Sequence, residues 1–206
     1  MAKPPGFEFV AGHVALEFVN TVDWRLDAAR RHELIRSFDD LLTWANLAGL
    51  VDASRIRESR TAAQRDPAGA ERSLRRARRL REALFRIMSA ARHDDPPTPR
   101  DLRLFNAFLT TALRKRRIDV HRNGWSWSWT RNGDDAFDSI LWPVVLAAAD
   151  LLTSPARTQI GECAGEGCGW LFLDTSRTAR RRWCTMRGCG NRAKVRRFYH
   201  RSRAST

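Results

Sequence analysis

Gly161-Glu162-Cys163-Ala164-Gly165-Glu166-Gly167-Cys168 and Cys184-Thr185-Met186-Arg187-Gly188-Cys189-Gly190 decide the reading of this sequence. Each pair of cysteines encloses four residues, fifteen residues separate the pairs, and the other 202 residues of the 206 hold no cysteine. Tetrahedral zinc needs four ligands at one point, and two short thiolate loops joined by a hairpin-length excursion can supply them. Gly167 and Gly169 in the first loop, with Gly188 and Gly190 in the second, let the backbone turn tightly around a metal. Two disulfides, or an iron–sulfur or thiol-redox role, are the competing readings. A reducing cytosol disfavours the first, and no C-x-x-C pair supports a redox role. Cys163, Cys168, Cys184 and Cys189 are therefore expected to hold a structural Zn2+. Four thiolates close the coordination sphere, so the metal should hold the fold and do no chemistry.

Working outward, Trp170-Leu171-Phe172-Leu173 reads as a compact apolar strand and the core of this module, with Thr158–Glu162 as a lead-in strand. After the last ligand, Ala193 to about Arg201 reads as a helix with Val195, Phe198 and Tyr199 inward. Arg192, Lys194, Arg196, Arg197 and Arg201 would then face outward, a basic surface suited to phosphates or a groove. A unit of under 50 residues has little core of its own, so metal binding should supply much of its folding free energy.

The charge agrees. The chain carries 37 Lys+Arg against 23 Asp+Glu, and Gly161–Thr206 alone contributes net +8 of the total +14. Such a field attracts polyanions, although basic residues also serve simply to solubilise a surface. The longest apolar run, Val144–Ala149, is far too short to span a bilayer, so the chain is expected to be soluble and cytoplasmic with no membrane partner. Eight tryptophans and ten phenylalanines argue against global disorder.

Upstream, the periods are mostly helical. Ser37 followed by Phe38-Asp39-Asp40 reads as a capped helix running to Gly49, and Asp52 can cap another to about Gln64. From Ala68 to about Arg92 one apolar stripe recurs at helical spacing with arginines opposite. Thr98-Pro99-Arg100-Asp101 starts a further helix with Leu102, Phe105, Leu109 and Leu113 as its buried face. Ile118 and Val120, then Trp125, Trp127 and Trp129, alternate around Asn123-Gly124 as in a β-hairpin, and the tryptophans are expected to be buried against the helices. A base-stacking role for that face is the alternative. A last helix is expected over Asp135–Leu152, offset by Pro143, before a linker at Ser154-Pro155. His13–Thr21 reads equally as a strand with a turn or as a first helix. The expected fold is mainly α: a helical N-terminal domain, residues 1–154, containing a β-hairpin, then a C-terminal four-cysteine zinc-finger module, residues 158–206, of a short β-hairpin and a C-terminal helix.

Trp170-Leu171-Phe172-Leu173-Asp174-Thr175-Ser176-Arg177, Arg181-Arg182-Trp183-Cys184 and Cys189-Gly190-Asn191-Arg192 together resemble the bacterial CGNR zinc-finger family, from Cys163 to about Arg201. Leu16-Glu17-Phe18-Val19-Asn20-Thr21 and Leu141-Trp142-Pro143 resemble the helical ABATE, or stress-induced transcription-regulator, domain that precedes this finger. Where that family often shows Asp, this chain has Glu17. The resemblance implies a DNA-binding transcriptional regulator of the stress response, with zinc on the cysteines and arginines near the finger on nucleic acid. DNA is favoured over RNA as partner; an RNA- or ribosome-associated protein is the alternative, since both polymers present phosphates.

The candidate nucleic-acid contacts are Arg177, Arg180, Arg181, Arg182, Arg187, Asn191, Arg192, Lys194, Arg196 and Arg197. Asn191 and Arg192 can read base edges or support the second cysteine loop. Asp174 is expected to accept backbone N–H bonds and pair an arginine to fix the hairpin. Glu17, Asn20, Trp24 and Arg25 are candidates for a pocket holding a small-molecule effector; equally, Asn20 could cap a turn and Arg25 could pair with Glu17. The N-terminal domain is also a candidate for homodimerisation. An enzyme using His13, Glu17 and Asn20 is disfavoured, because no nucleophile-plus-base motif accompanies them. A finger serving protein contacts would instead seek an acidic partner.

Overall fold

His13–Thr21 forms a helix, α1 (Val14–Val19), and that helix is the centre of the molecule. The computed structural model describes residues 6–122, 124–130 and 137–204. The His13 ring accepts the Ala15 N–H at 3.3 Å and starts α1, whose Ala15, Leu16, Phe18 and Val19 are wholly buried. Helix therefore wins over strand because these residues are covered from all sides and their backbone groups are satisfied within the helix, as in Glu17 N–H on the His13 carbonyl and Asn20 N–H on the Leu16 carbonyl, both at 2.9 Å.

The chain continues through a two-stranded ribbon, β1 (Val22–Asp23) and β2 (His32–Glu33), into four helices. These are α2 (Phe38–Leu47), α3 (Ala53–Arg65), α4 (Pro67–Ala91) and α5 (Pro99–Lys115). Each begins on a side chain that accepts an otherwise unpaired backbone N–H: Ser37, Asp52, Asp66 and Thr98. Each such cap stabilises by about 1 kcal/mol. At Ser37 the bond is reciprocated by Asp40, a complete capping box. Helix α4 buries Leu74, Ala77, Leu80, Leu84, Ile87 and Met88 toward α1, α2 and α5, while Arg72, Arg75, Arg76 and Arg79 face solvent. One arginine breaks this pattern. Arg81 is buried, and its guanidinium forms a two-pronged bond to Glu33 at 2.6 Å and a third to the Thr21 hydroxyl at 3.1 Å, tying the β1–β2 ribbon to α4.

On α5 the buried face differs from the one the spacing suggested. Asp101, Phe105, Phe108 and Ala112 are buried, whereas Leu102 and Leu113 are exposed. Asp101 sets the rotation: Arg86 on α4 grips its carboxylate at 2.6 and 2.8 Å, so the Asp101 face turns inward and Leu102 turns out.

Strands β3 (Arg116–His121) and β4 (Gly124–Trp129) form the expected hairpin, in the register Ile118↔Trp127 and Val120↔Trp125. The expected burial of its tryptophans is corrected. Trp129 packs on Trp142, with ring centroids 5.3 Å apart, but Trp125 and Trp127 are 79% and 62% exposed, together with Ile118 and Val120. The hairpin leaves the helices as it leaves α5, so its outer half has no neighbour among the described residues. Asn123, in the expected turn, and Asp135, the expected start of the next helix, lie outside the described residues, as does the side chain of Arg201.

A 3-10 turn (Asp138–Leu141) leads into α6 (Trp142–Thr153), with Pro143 in its first turn where no N–H is missed. The expected linker at Ser154-Pro155 is a second 3-10 turn (Pro155–Gln159), and β5 (Ile160–Glu162) and β6 (Leu171–Leu173) pair antiparallel immediately beyond it. The period of two along Trp170-Leu171-Phe172-Leu173 divides its side chains. Leu171 and Leu173 pack into the helical core beside α1, with Ile160, and Trp170 and Phe172 pack among the cysteines. The helical part and the cysteine module thus share a core. A single π turn (Met186–Gly190) and α7 (Asn191–Ala204) complete the chain. The expectation that Val195, Phe198 and Tyr199 point inward on α7 is also corrected: they are 47%, 63% and 63% exposed, because α7 extends beyond the body, packed on the π turn at its root and tied to the body by Arg192 over Trp24 and Arg196 on Glu166. No helix among the described residues is long and apolar enough to cross a membrane.

Candidate metal centre and basic surface

The cysteines converge because two hairpin-like turns face each other. Cys163 leaves β5 with its N–H on the Trp170 carbonyl at 2.8 Å, and the loop closes with Cys168 N–H on the Gly165 carbonyl at 3.0 Å. Cys184 and Cys189 flank the π turn, whose start is capped by the Thr185 hydroxyl. The Ala164 N–H on the Arg182 carbonyl, 2.8 Å, zips the two loops together. All four sulfurs are buried and lie within 4.8 Å of one another. Cys168 and Cys184 are 3.9 Å apart and Cys184 and Cys189 3.6 Å. A tetrahedron with zinc–sulfur bonds of about 2.3 Å has an edge of roughly 3.8 Å. These separations fit that edge and are far too long for a disulfide.

The surroundings fit a structural zinc as well. Cys163 Sγ accepts the N–H groups of Gly165 and Cys184 at 3.4 and 3.3 Å, and Cys189 Sγ accepts Arg192 Nη2 at 2.9 Å. Such outer hydrogen bonds orient thiolates and offset their charge. Hydrogen bonds from Cys168 and Cys184 hold the Cys163 thiol far below its ordinary range, and the same contacts push Cys168 and Cys184 up. Four thiolates this close ionise together only around a multivalent cation. A Cβ on Gly165 would meet Cys189 Sγ at 2.7 Å, so this glycine, absent from the expectation drawn from the sequence, is the one the sulfur cluster demands. Gly169 is required for backbone reasons, with φ +68° and Leu26 2.7 Å from where its Cβ would stand.

Of the four residues considered for an effector pocket, three are spent inside the fold. Glu17 is buried and accepts the N–H groups of Val10, Ala11 and Gly12 at 3.2, 2.7 and 3.1 Å. Burial raises its pKa, opposed by those three bonds. Asn20 is the C-cap of α1 through its backbone N–H, and its side chain bonds both backbone groups of Leu171, at 2.8 and 2.9 Å, acting as an extra strand partner for β6. Arg25 pairs with Glu82 at 2.5 Å, not with Glu17, and also donates to the Val19 carbonyl at 2.7 Å. Burial lowers Arg25 to about 10, against the pull of Glu82. Trp24 alone faces a cavity. Its backbone has φ +50° and is held there by the next two N–H groups, Arg25 on the Cys168 carbonyl at 3.0 Å and Leu26 on the Gly167 carbonyl at 3.1 Å.

Arg181 is removed from the surface set. Its guanidinium donates to the carbonyls of Val10, Trp183 and Cys184 at 2.6, 3.0 and 2.5 Å and lies 4.3 Å over Phe172, binding the finger to the N-terminal segment. Asp174 accepts Arg181 N–H at 2.8 Å and the Ser176 N–H and hydroxyl, which lower its pKa. Arg177, Arg180, Arg182, Arg187, Asn191, Arg192, Lys194, Arg196 and Arg197 are exposed on the finger and α7. Asn191 also closes the π turn through its backbone N–H, and Arg192 spans Cys189 and the Trp24 ring, 4.7 Å from its centroid.

Comparison with known families gives two matches. Residues 12–155 match the model of the ABATE family, described as "Putative stress-induced transcription regulator", and residues 159–202 match the CGNR zinc finger. None of the curated proteins compared matches the chain.

Proposed function

The chain belongs to the ABATE family and ends in a CGNR zinc finger, and from that premise we propose that it is a DNA-binding transcriptional regulator. The observation that carries the proposal is the exposed arginine cluster built on the cysteine centre. Arg182, Arg187 and Arg192 stand beside its second loop, and Lys194, Arg196 and Arg197 continue onto a projecting helix. A free basic helix next to a rigid knob is a shape that can enter a groove while the knob holds phosphates. Val195, Phe198 and Tyr199 on the same helix supply apolar surface for sugars or thymine methyls. The zinc is structural, and no catalytic step is assigned to it.

Fluorescence anisotropy with duplex DNA, titrated at several salt concentrations, tests this. The affinity should fall steeply with salt, and Arg182→Ala and Arg197→Ala should each weaken binding and flatten the slope by about one counterion. Tighter binding to structured RNA at matched salt would transfer the reading to an RNA- or ribosome-associated role. Salt-insensitive binding, or none, would remove the surface from consideration.

A further inference from the structure

A cavity of about 420 Å³ lies where the Trp24 loop meets the finger, within the roughly 300–1,000 Å³ of small-molecule sites. Trp24 and Arg30 reach it from the ABATE segment, and Trp183, Arg182, Arg192 and Arg197 from the finger. Two half-buried indoles and a ring of guanidiniums are the two halves of a receptor for a planar, anionic ligand. Little of this charge is neutralised by carboxylates, although Arg192 also donates to Cys189 Sγ at 2.9 Å. Among the described residues Arg182, Arg192 and Arg197 have no carboxylate at ion-pair distance; Glu166, the cavity's acidic residue, is taken by Arg196. The indole faces are attractive to cations and flat rings alike: Arg30 already lies 3.8 Å over Trp24 and Arg182 5.4 Å from Trp183. Arg30 is otherwise held only by an exposed pair with Asp27, an interaction of small net worth, so an incoming ring displaces it readily. Trp24, moreover, is kept in the left-handed region, a backbone conformation unfavourable for a side chain of this size that is maintained at functional sites.

We propose that this cavity binds a single nucleotide unit, its base stacked on Trp24 and its phosphate held by Arg182, Arg192 and Arg197. The assignment stands apart from the duplex-binding proposal, although the two share arginines. The unit can be a free mononucleotide or one unstacked residue of a single strand, and the test separates these sources.

Isothermal titration calorimetry of the zinc-loaded full chain with adenosine 5′-monophosphate should give saturable 1:1 binding. Adenosine and ribose 5-phosphate, the two halves, should each bind at least tenfold more weakly. Trp24→Ala should lose at least tenfold in affinity while Trp24→Phe retains most of it, with zinc content measured on both. Arg197→Ala, on exposed α7 where folding is not at stake, should also lose several-fold, and Trp127→Ala should change nothing. A short single-stranded oligonucleotide binding more tightly than the mononucleotide identifies a strand as the source; the reverse order identifies a free nucleotide. The proposal is overturned if neither probe saturates, if ribose 5-phosphate binds as tightly as the nucleotide, or if Trp24→Ala binds like the parent. Duplex binding measured on the same variants keeps the two proposals apart, since loss of either alone leaves the other standing.

Discussion

Replacing Asn20 by alanine should destabilise the whole molecule and not merely its surface. The side chain is 3% exposed and makes both of its bonds to one residue, the Leu171 carbonyl at 2.8 Å and the Leu171 N–H at 2.9 Å. Leu171 is itself inaccessible, so no water can replace the lost partner. Each buried backbone group left unpaired costs about 1–3 kcal/mol, which gives roughly 2–5 kcal/mol for the pair once partial relaxation is allowed. For a chain of this size each kcal/mol moves the midpoint by about 2–4 °C, so Tm should fall by roughly 4–20 °C. Differential scanning calorimetry on zinc-loaded protein measures it directly. Because Leu171 belongs to the helical core while its neighbours Trp170 and Phe172 belong to the cysteine cluster, chelator-induced zinc release should also quicken. A change below about 2 °C, with unaltered zinc release, would refute the argument and return Asn20 to the candidate ligand contacts.

Cys184→Ser should abolish stoichiometric zinc and unfold the finger, as read by metal analysis and loss of near-UV signal; full zinc content would contradict the ligand assignment. Arg181→Ala should destabilise the protein, read as a clear fall in Tm, by well over the roughly 0.5 kcal/mol typical of surface changes, whereas Arg180→Ala should stay within that range. Trp127→Ser should leave thermal stability nearly unchanged, while Trp129→Ala, which removes a ring from Trp142, should be clearly destabilising in the same scan. Hydrogen bonds from Arg86 hold the Asp101 carboxyl below its usual 3.8, and Glu82, although burial opposes it, is lowered from 4.5 by Arg25 and Arg81. Both depressed groups favour the folded state above their unfolded values, and that contribution disappears as pH falls through the folded ones. Acid unfolding should therefore steepen below about pH 4, and Asp101→Asn should flatten that branch.

The cysteine centre was legible because its ligands are the chain's only cysteines and their spacing restricts what they can do. Helices α2 to α5 were legible because Ser37, Asp52, Thr98 and the proline after it announce their starts locally. What escaped depends on partners remote in sequence. The rotation of α5 follows from Arg86 gripping Asp101, and the position of Arg181 follows from Val10, 171 residues away. Alternation on β4 was read as a buried face, but period two reports only that one face differs from the other, and here the hydrophobic one meets solvent. On α7, likewise, apolar spacing marked a stripe without showing that anything covers it. Trp24 was a pocket candidate and Arg182, Arg192 and Arg197 were nucleic-acid candidates, but nothing local showed that they line one cavity, since Trp24 stands about 160 positions from the arginines.

The shared core at Leu171 and Ile160 has a bearing on how the finger meets any large partner. A module on a flexible tether tumbles independently and must surrender that freedom on landing, an entropic toll charged against every complex it forms. Here the orientation of the knob was settled when the polypeptide collapsed, so docking gives up the motion of the body as a whole and no separate motion of the knob.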